Sequence, residues 1–308
     1  MKISVISGGF SDESGSSRES GACIAKALTA LGHAVAIVEY DENIVARLKK
    51  TAPDAAFPVV QGKHHGDGAV QAILELLGIP YVGSRPSFAA LINHKTLCKK
   101  IWRAAEIITP DFFEYSRDEY DKDDFADFAE KAAVHGITLP VVVKPPMQGN
   151  RFGMVFVKDA HSFAELKNSF RYDEILLGER YIEGRFITQG IVEIGGKMTG
   201  MPPLEVLDDS GDEFKIFPGG SATRKPDLSP GQLAEINRIT LEAAALTGAS
   251  GFARLDYHLS GGRFYLLEIN AVPGLVPGYS SMPACAQAAG YDYNAFIGIL
   301  LDAANNGG

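Results

Sequence analysis

The sequence predicts an α/β protein that begins with a small doubly wound domain on a parallel sheet and continues into two further units of mixed strands and helices. Three observations lead there. Residues 2 to 7, "KISVIS", are a short apolar run ending at Gly8 and Gly9, which reads as a first strand opening into a turn that extends to Ser17. "RESGACIAKALTALGH" has helical spacing, is ended by Gly32, and is followed by "AVAIVEY" as a second strand. Strand, helix, strand in that order implies parallel pairing, and "GAVQAILELLGIPYVG" repeats the theme with a helix and a short strand.

The remaining elements follow in order. "NHKTLCKKIWRAAE" opens a helix with Asn93 as its expected cap, and "ITPDFFEY" reads as a strand. "LPVVVKPP" is a buried strand, "DAHSFAELKNSF" a capped helix and "EILLGERYI" another strand, closing this unit near Glu183. Strands "FITQGIVEI" and "KMTGMPPLEVL" come next, then a polar loop around 208 to 222 and the helix "SPGQLAEINRITLEAAALTG". A hairpin and a C-terminal helix complete the chain. These readings divide it at 1–92, 93–184 and 185–308.

At 308 residues and 46% hydrophobic, the chain can bury a large core. No apolar segment reaches the ~20 residues of a membrane helix, so no membrane partner is expected. Cys23, Cys98 and Cys285 have neither paired nor metal-ligand spacing, which predicts a reducing, cytoplasmic setting. The net charge of -9 argues against nucleic acid as a partner. Cationic side chains inside Gly- and Pro-rich stretches are therefore the informative ones.

The hairpin "GFARLDYHLSGGRFYLLEIN" carries the strongest chemical signal. Arg254 and Asp256 share one face of its first strand, and Glu268 and Asn270 share one face of its second. A three-residue loop at Gly261, Gly262 and Arg263 would set Asp256 opposite Glu268; a two-residue loop would put Leu267 there and separate the carboxylates. Oxygen-only ligands of this kind suit Mg²⁺, while a solvated hairpin face is the bland account. In "LPVVVKPPMQGNRFG", Lys144 ends a strand before a loop holding Gly149 and Gly153, where backbone N–H groups could approach phosphate; a plain turn is the alternative. Lys95, near a helix start, is a second phosphate candidate or a surface lysine. In "SGGFSDESGSS", Glu13 could hold an ammonium group, or Ser16 or Ser17 could simply cap the helix. There is no Gly-x-Ser-x-Gly, no His-Glu-x-x-His and no Gly-x-Gly-x-x-Gly, which speaks against hydrolase, zinc and dinucleotide chemistry.

Together these segments resemble the ATP-grasp ligases, most closely the D-alanine–D-alanine ligase family, from Gly8 to about Gly290. The most specific part is Arg254-x-Asp256 followed by Glu268-x-Asn270-x-x-Pro273-Gly274. The resemblance implies an N-terminal substrate-binding domain, with ATP held between a central and a C-terminal domain. It implies a carboxylate–amine ligase working through an acylphosphate, with two Mg²⁺ ions (or Mn²⁺ in their place) on Asp256, Glu268 and Asn270. Arg254 would steady the anionic transition state. Glu13 would bind the first substrate's amino group, with Ser17 and Gly21 fitting the same opening motif. Lys95 and Lys144 match two ATP-phosphate lysines, the loop at Gly149 and Asn150 matches a nucleotide-covering turn, and Glu179, Arg180 and Ile182 match the adenine-reading hinge. Lys215 is similar to a γ-phosphate lysine on a closing loop, and Ser280 and Met282 resemble the segment that holds the second substrate's carboxylate. Partners would be small amino acids, and a homodimer is common in the family.

Several positions depart from the family pattern. Gln61 stands in place of a histidine, Asn150 and Arg151 in place of two serines, Phe186 in place of the glutamate that holds the ATP ribose, and Ile216 in place of a tyrosine. One residue is inserted between Gly274 and Ser280. Metal and phosphate groups survive while substrate-positioning groups change. Two other readings thus stand beside the cell-wall ligase: a diverged ligase for another amino acid, and a catalytically silent nucleotide-binding protein.

Overall fold

A computed structural model describes residues 1–62, 66–207 and 220–305. In chain order the elements are β1 (Lys2–Ser7), α1 (Ser14–Ala30), β2 (Ala34–Glu39), α2 (Ile44–Thr51), β3 (Ala55–Pro58), α3 (Ala69–Leu76), α4 (Pro86–Asn93) and α5 (Lys95–Ala104). There follow β4 (Phe112–Ser116), α6 (Arg117–Tyr120), α7 (Phe125–Val134), β5 (Val141–Lys144), β6 (Val155–Val157), α8 (Ala160–Ser169) and β7 (Ile175–Arg180). The last stretch holds β8 (Arg185–Ile194), β9 (Lys197–Gly200), β10 (Leu204–Val206), β11 (Thr223–Arg224), α9 (Pro230–Leu246), β12 (Phe252–Ser260), β13 (Arg263–Asn270), α10 (Ser281–Ala288) and α11 (Tyr293–Asn305).

The N-terminal sheet is parallel with order β2-β1-β3, as the strand, helix, strand pattern predicts. Other details of the chain differ from the sequence reading. Helix α1 begins at Ser14, so the first turn is shorter than expected. Neither Ser16 nor Ser17 caps it: Ser17 Oγ donates to the Val59 carbonyl (2.7 Å) and accepts from the Gly8 N–H (2.9 Å), tying the first turn to β3. The short strand expected in "GIPYVG" is a single bridge between Tyr81 and Ala56, and the third strand is the Ala-rich β3 instead. Asn93 ends α4; His94, in extended backbone, caps α5 through its ring, which accepts from the Leu97 N–H. The C-terminal helix is two helices, because Gly290 at φ +92° leaves the right-handed region.

Strand alternation builds the cleft. The central sheet, order β4-β7-β5-β6, turns Val141 and Val143 into a core with Phe128, Phe163 and Leu166 of α7 and α8. The alternate residues, Val142 and Lys144, face a cleft on the other side. The large sheet, order β11-β10-β8-β12-β13 with β9 on β8, does the same with Leu255, Tyr257 and Leu259 packed inward against α5 and α9. Arg254, Asp256 and His258 face the cleft. Two such sheets, each covered by helices on its far face, leave their polar faces opposed around a cavity of about 710 Å³.

Trp102 of α5 is fully buried under the large sheet, and its indole N–H has no hydrogen-bond partner. Trp102→Ala is expected to destabilise by about 3 to 5 kcal/mol in denaturant titration. Trp102→Phe keeps most of the apolar volume and removes an unsatisfied donor, so its cost should be well below half of that.

Candidate active site

The hairpin of β12 and β13 decides the site. Ser260 pairs with Arg263, so the turn is the two-residue Gly261-Gly262, both at positive φ (55° and 77°). A two-residue turn alone would set Leu267 opposite Asp256. Instead the register shifts between Asp256 and Tyr257: Leu267 is the extra residue of a β-bulge, and Asp256 lies opposite Glu268 after all, with Arg254 opposite Asn270. The expected pairing is present, produced by a bulge and not by a longer loop.

The four side chains interlock. Arg254 donates to Asp256 through Nη2 (2.7 Å to Oδ2) and Nε (3.0 Å to Oδ1). Asn270 Nδ2 donates to Asp256 Oδ2 (3.1 Å) and Glu268 Oε1 (3.3 Å), so two carboxylates and one amide converge within hydrogen-bond reach. Thr188 of β8, opposite Asp256, donates to its Oδ1 at 2.7 Å. Turning the Asn270 amide over would present three oxygens to one point, a donor set that fits Mg²⁺ or Mn²⁺ and not zinc. Among the described residues no cluster of three His, Cys, Asp or Glu competes as a metal centre.

Lysines crowd the same cavity. Lys95 Nζ lies 3.4 Å from Glu268 Oε2 and donates to the Gln148 carbonyl at 2.6 Å. Burial alone would raise the Glu268 carboxyl, but Lys95, Lys144 and Arg254 outweigh it and hold it at about 2. Lys144 Nζ is 2.5 Å from Glu179 Oε1, and Lys99 Nζ reaches Glu179 Oε2 at 2.9 Å. Against strong desolvation these two lysines also keep Glu179 ionised, at about 2. Burial pushes Lys99 below the ordinary lysine value, and Glu179 opposes that fall. Lys99 is a functional neighbour that the sequence reading overlooked, although its spacing four residues after Lys95 on α5 puts both on one helix face.

At the other end of the cleft, Glu13 is buried and its carboxyl is raised, chiefly by that burial, against the pull of Lys95 and of the Gly149 N–H. Asn150 Nδ2 donates to Glu13 Oε2 at 2.8 Å, from a backbone at φ +45°. A Cβ at Gly149 would fall 2.8 Å from Glu13 Oε1, so a larger residue there would displace the carboxylate. Gln61 donates to the Val272 carbonyl (2.9 Å) and closes the same corner. Arg180 and Ile182 line the cleft beyond Glu179, with the Arg180 guanidinium committed to Asp111 and the Gly136 carbonyl. Ser280 precedes α10 and its Oγ accepts from the Val276 N–H. Met282 is buried in the core below it. Gly21 lets α1 pack on β1, since a Cβ there would meet Ser7 at 2.7 Å. Lys215 and Ile216 lie outside the described residues.

Thr188 and His258 also escaped the sequence reading. Thr188 is recruited by strand pairing alone, opposite Asp256, whereas His258 shares the face of Arg254 and Asp256 by the same i, i+2 alternation on β12 and could have been found from it.

Comparison with known proteins places the chain in a family. Residues 101–302 match the family model described as "D-ala D-ala ligase C-terminus". The D-alanine–D-alanine ligase of Moorella thermoacetica is 35% identical over 99% of both chains. That of Geotalea uraniireducens is 32% identical over 98% of this chain and 95% of its own. Among solved structures, the Bacillus anthracis D-alanine–D-alanine ligase complexed with ATP superposes with a TM-score of 0.82 at 27% identity, covering 99% of this chain and 97% of that one. The Coxiella burnetii ligase gives 0.83 at 25% identity, covering 99% and 94%. The chain described here belongs to the D-alanine–D-alanine ligase family, ATP-dependent C–N ligases of the ATP-grasp fold.

Proposed function

We propose that the chain joins two amino acids, D-alanine among them, at the expense of ATP, with the residue roles set out below. The observation that carries this reading is the convergence of Arg254, Asp256, Glu268, Asn270, Lys95 and Lys144 on one cleft whose far corner holds Glu13. The first amino acid binds with its ammonium on Glu13. Its carboxylate attacks the γ-phosphorus of ATP, giving an acylphosphate and ADP. The amine of the second amino acid then attacks the acyl carbon and expels phosphate, forming the amide.

Attack of a carboxylate on a triphosphate brings anions together, so the site must supply positive charge. Lys95, Lys144 and Arg254 supply it from side chains already fixed by carboxylate partners. Asp256, Glu268 and Asn270 would hold divalent cations, whose chemistry is to neutralise charge on the triphosphate oxygens. When Lys144 turns toward phosphate, Lys99 remains to balance the buried Glu179. Ile182 and the backbone at Arg180 line the end where the adenine would lie, and Ser280 stands where the second substrate's carboxylate would dock. In this reading the three segments 1–92, 93–184 and 185–308 supply the first-substrate corner, the lysine side and the acidic side of the cleft.

A second reading, a ligase of the same mechanism for a different first amino acid, is favoured by one contact. Asn150 occupies one oxygen of Glu13, so the group beside the substrate's amine is an amide. Losing or changing a buried hydrogen-bond partner shifts affinity by ~1 to 3 kcal/mol per site, enough to alter substrate choice without touching the chemistry. The silent nucleotide-binding alternative has the complete Arg254, Asp256, Glu268 and Asn270 set against it.

Asp256→Asn and Glu268→Gln are each expected to abolish ADP formation while circular dichroism still shows the folded chain, with a lowered melting temperature for Asp256→Asn because Arg254 loses its buried partner; retained turnover in either would refute the metal-ligand role. A mass-spectrometric screen of amino-acid pairs with Mg-ATP should return D-alanyl-D-alanine, or name the other pair. Because the Glu13 carboxyl is raised above 4.5, its ammonium-binding form is lost on acidification sooner than for an ordinary glutamate. The KM for the first amino acid should therefore rise as pH falls toward that range, with the KM for ATP little changed. Glu13→Gln should raise that KM at every pH and remove the pH dependence, and a wild-type KM insensitive to pH would count against the role.

A further inference from the structure

The bulge at Leu267 sits on the last strand of the large sheet. The sheet order ends β12-β13, so among the described residues the outer edge of β13 carries no further strand. An edge strand with an extra residue is where pairing slips most easily, and here a slip would carry Glu268 away from Asp256. Two hydrogen bonds from the segment between α5 and β4 occupy that edge. The Leu266 N–H donates to the Ile108 carbonyl (2.9 Å), and the Leu266 carbonyl accepts from Thr109 Oγ1 (2.7 Å). Leu266, opposite Tyr257, is the last residue in register before the extruded Leu267, and Glu268 is the first after it. The Thr109 hydroxyl therefore grips the peptide that leads into the bulge.

That hydroxyl is itself held in one orientation. Lys99, whose side chain is fully buried, donates from Nζ to Thr109 Oγ1 at 2.7 Å and lies 2.9 Å from Glu179 Oε2. An ammonium has only protons to give and a carbonyl only lone pairs, so the hydroxyl between them must aim its proton at Leu266. On the other side of the bulge, Lys95 Nζ lies 3.4 Å from Glu268 Oε2. Lys95 and Lys99 stand four residues apart on one face of α5, a rise of about 6 Å. Two residues of strand span about 7 Å, so the pair matches the reach from Glu268 back to Leu266. Helix α5 thus braces the strand on both flanks of Leu267, directly through Lys95 and by way of Thr109 through Lys99.

We propose that Lys99 and Thr109 are positioning residues for the acidic side of the cleft: acting through the Leu266 carbonyl, they fix the bulge that sets Glu268 against Asp256, so that the affinity of the site for a divalent cation depends on the Thr109 hydroxyl. The inference rests on the reading above that Asp256, Glu268 and Asn270 hold such a cation. Neither residue touches substrate or metal; both act by holding the backbone from which a ligand projects.

The test titrates the full chain with Mn²⁺ alone and follows the free ion by electron paramagnetic resonance. Thr109→Val keeps the shape of the side chain and removes the hydroxyl, and it should weaken Mn²⁺ binding about tenfold, the size typical when a group behind a metal ligand is lost. Thr109→Ser, which keeps the hydroxyl, should stay within about threefold of wild type. In phosphate release from ATP with D-alanine, Thr109→Val should raise the Mg²⁺ concentration for half-maximal rate by the same factor, while the KM for D-alanine changes less than about twofold. Lys99→Met reads the relay from its other end and serves if Thr109→Val does not fold. Removing a cation from the cavity would, by Coulomb attraction alone, tighten Mn²⁺ binding; loss of the relay should weaken it by about threefold or more. Thr109→Val binding Mn²⁺ as tightly as wild type, whatever its melting temperature, overturns the inference. So does equal weakening in Thr109→Val and Thr109→Ser, or tighter binding by Lys99→Met. If the wild type binds no Mn²⁺, or Asp256→Asn binds it as well as wild type does, the metal-ligand reading itself fails and takes this inference with it.

Discussion

The register of the β12–β13 hairpin is the constraint on which the rest of the site depends. Side chains on a strand alternate with a period of two, so a slip of one residue would turn Glu268 and Asn270 into the core and bring Leu267 and Ile269 to the cleft. The Gly261-Gly262 turn by itself would impose that slip. The bulge at Leu267 reverses it, and a bulge is tolerated here because its extra residue is apolar and finds room at the cleft wall. From that single irregularity follow the opposition of Asp256 and Glu268 and the reach of Asn270 to both.

Electrostatics then fixes what the opposed faces can bind. Cationic and anionic groups are placed in the same poorly solvated cavity, and each is held by the other: Glu179 between Lys99 and Lys144, Glu268 beside Lys95, Asp256 under Arg254. Desolvation alone would neutralise these groups, whereas mutual attraction keeps them charged. A triphosphate carrying divalent cations, the ligand proposed above, would bring both signs of charge to a site that already contains both.

The two ends of the cleft present different groups. At one corner, Glu13 is held by Asn150, by the Gly149 amide and by a neighbouring loop closed through Gln61. Directed hydrogen-bonding groups of this kind discriminate sharply between ligands. The Val206, Phe186 and His258 row presents an aliphatic side chain and two rings.

Much of this was legible in the linear chain. Strand, helix, strand periodicity specified a parallel N-terminal sheet, and the i, i+2 spacings of Arg254 with Asp256 and Glu268 with Asn270 specified two polar strand faces, because pleat alternation is a local property. Glu13, Lys95 and Lys144 could be singled out since each sits at the end of an element, where ligand-facing residues collect. What the sequence could not decide was every relation between segments distant along the chain. Whether the two polar faces coincide depended on a bulge that no residue type announces. Thr188 joins the site only through pairing of β8 with β12, and Lys99 meets Glu179 only because α5 packs beneath the large sheet while β7 belongs to the central one. Local propensity acts over a few residues, while register and sheet-on-sheet packing are set by the burial of whole faces, and so only the tertiary structure could settle them.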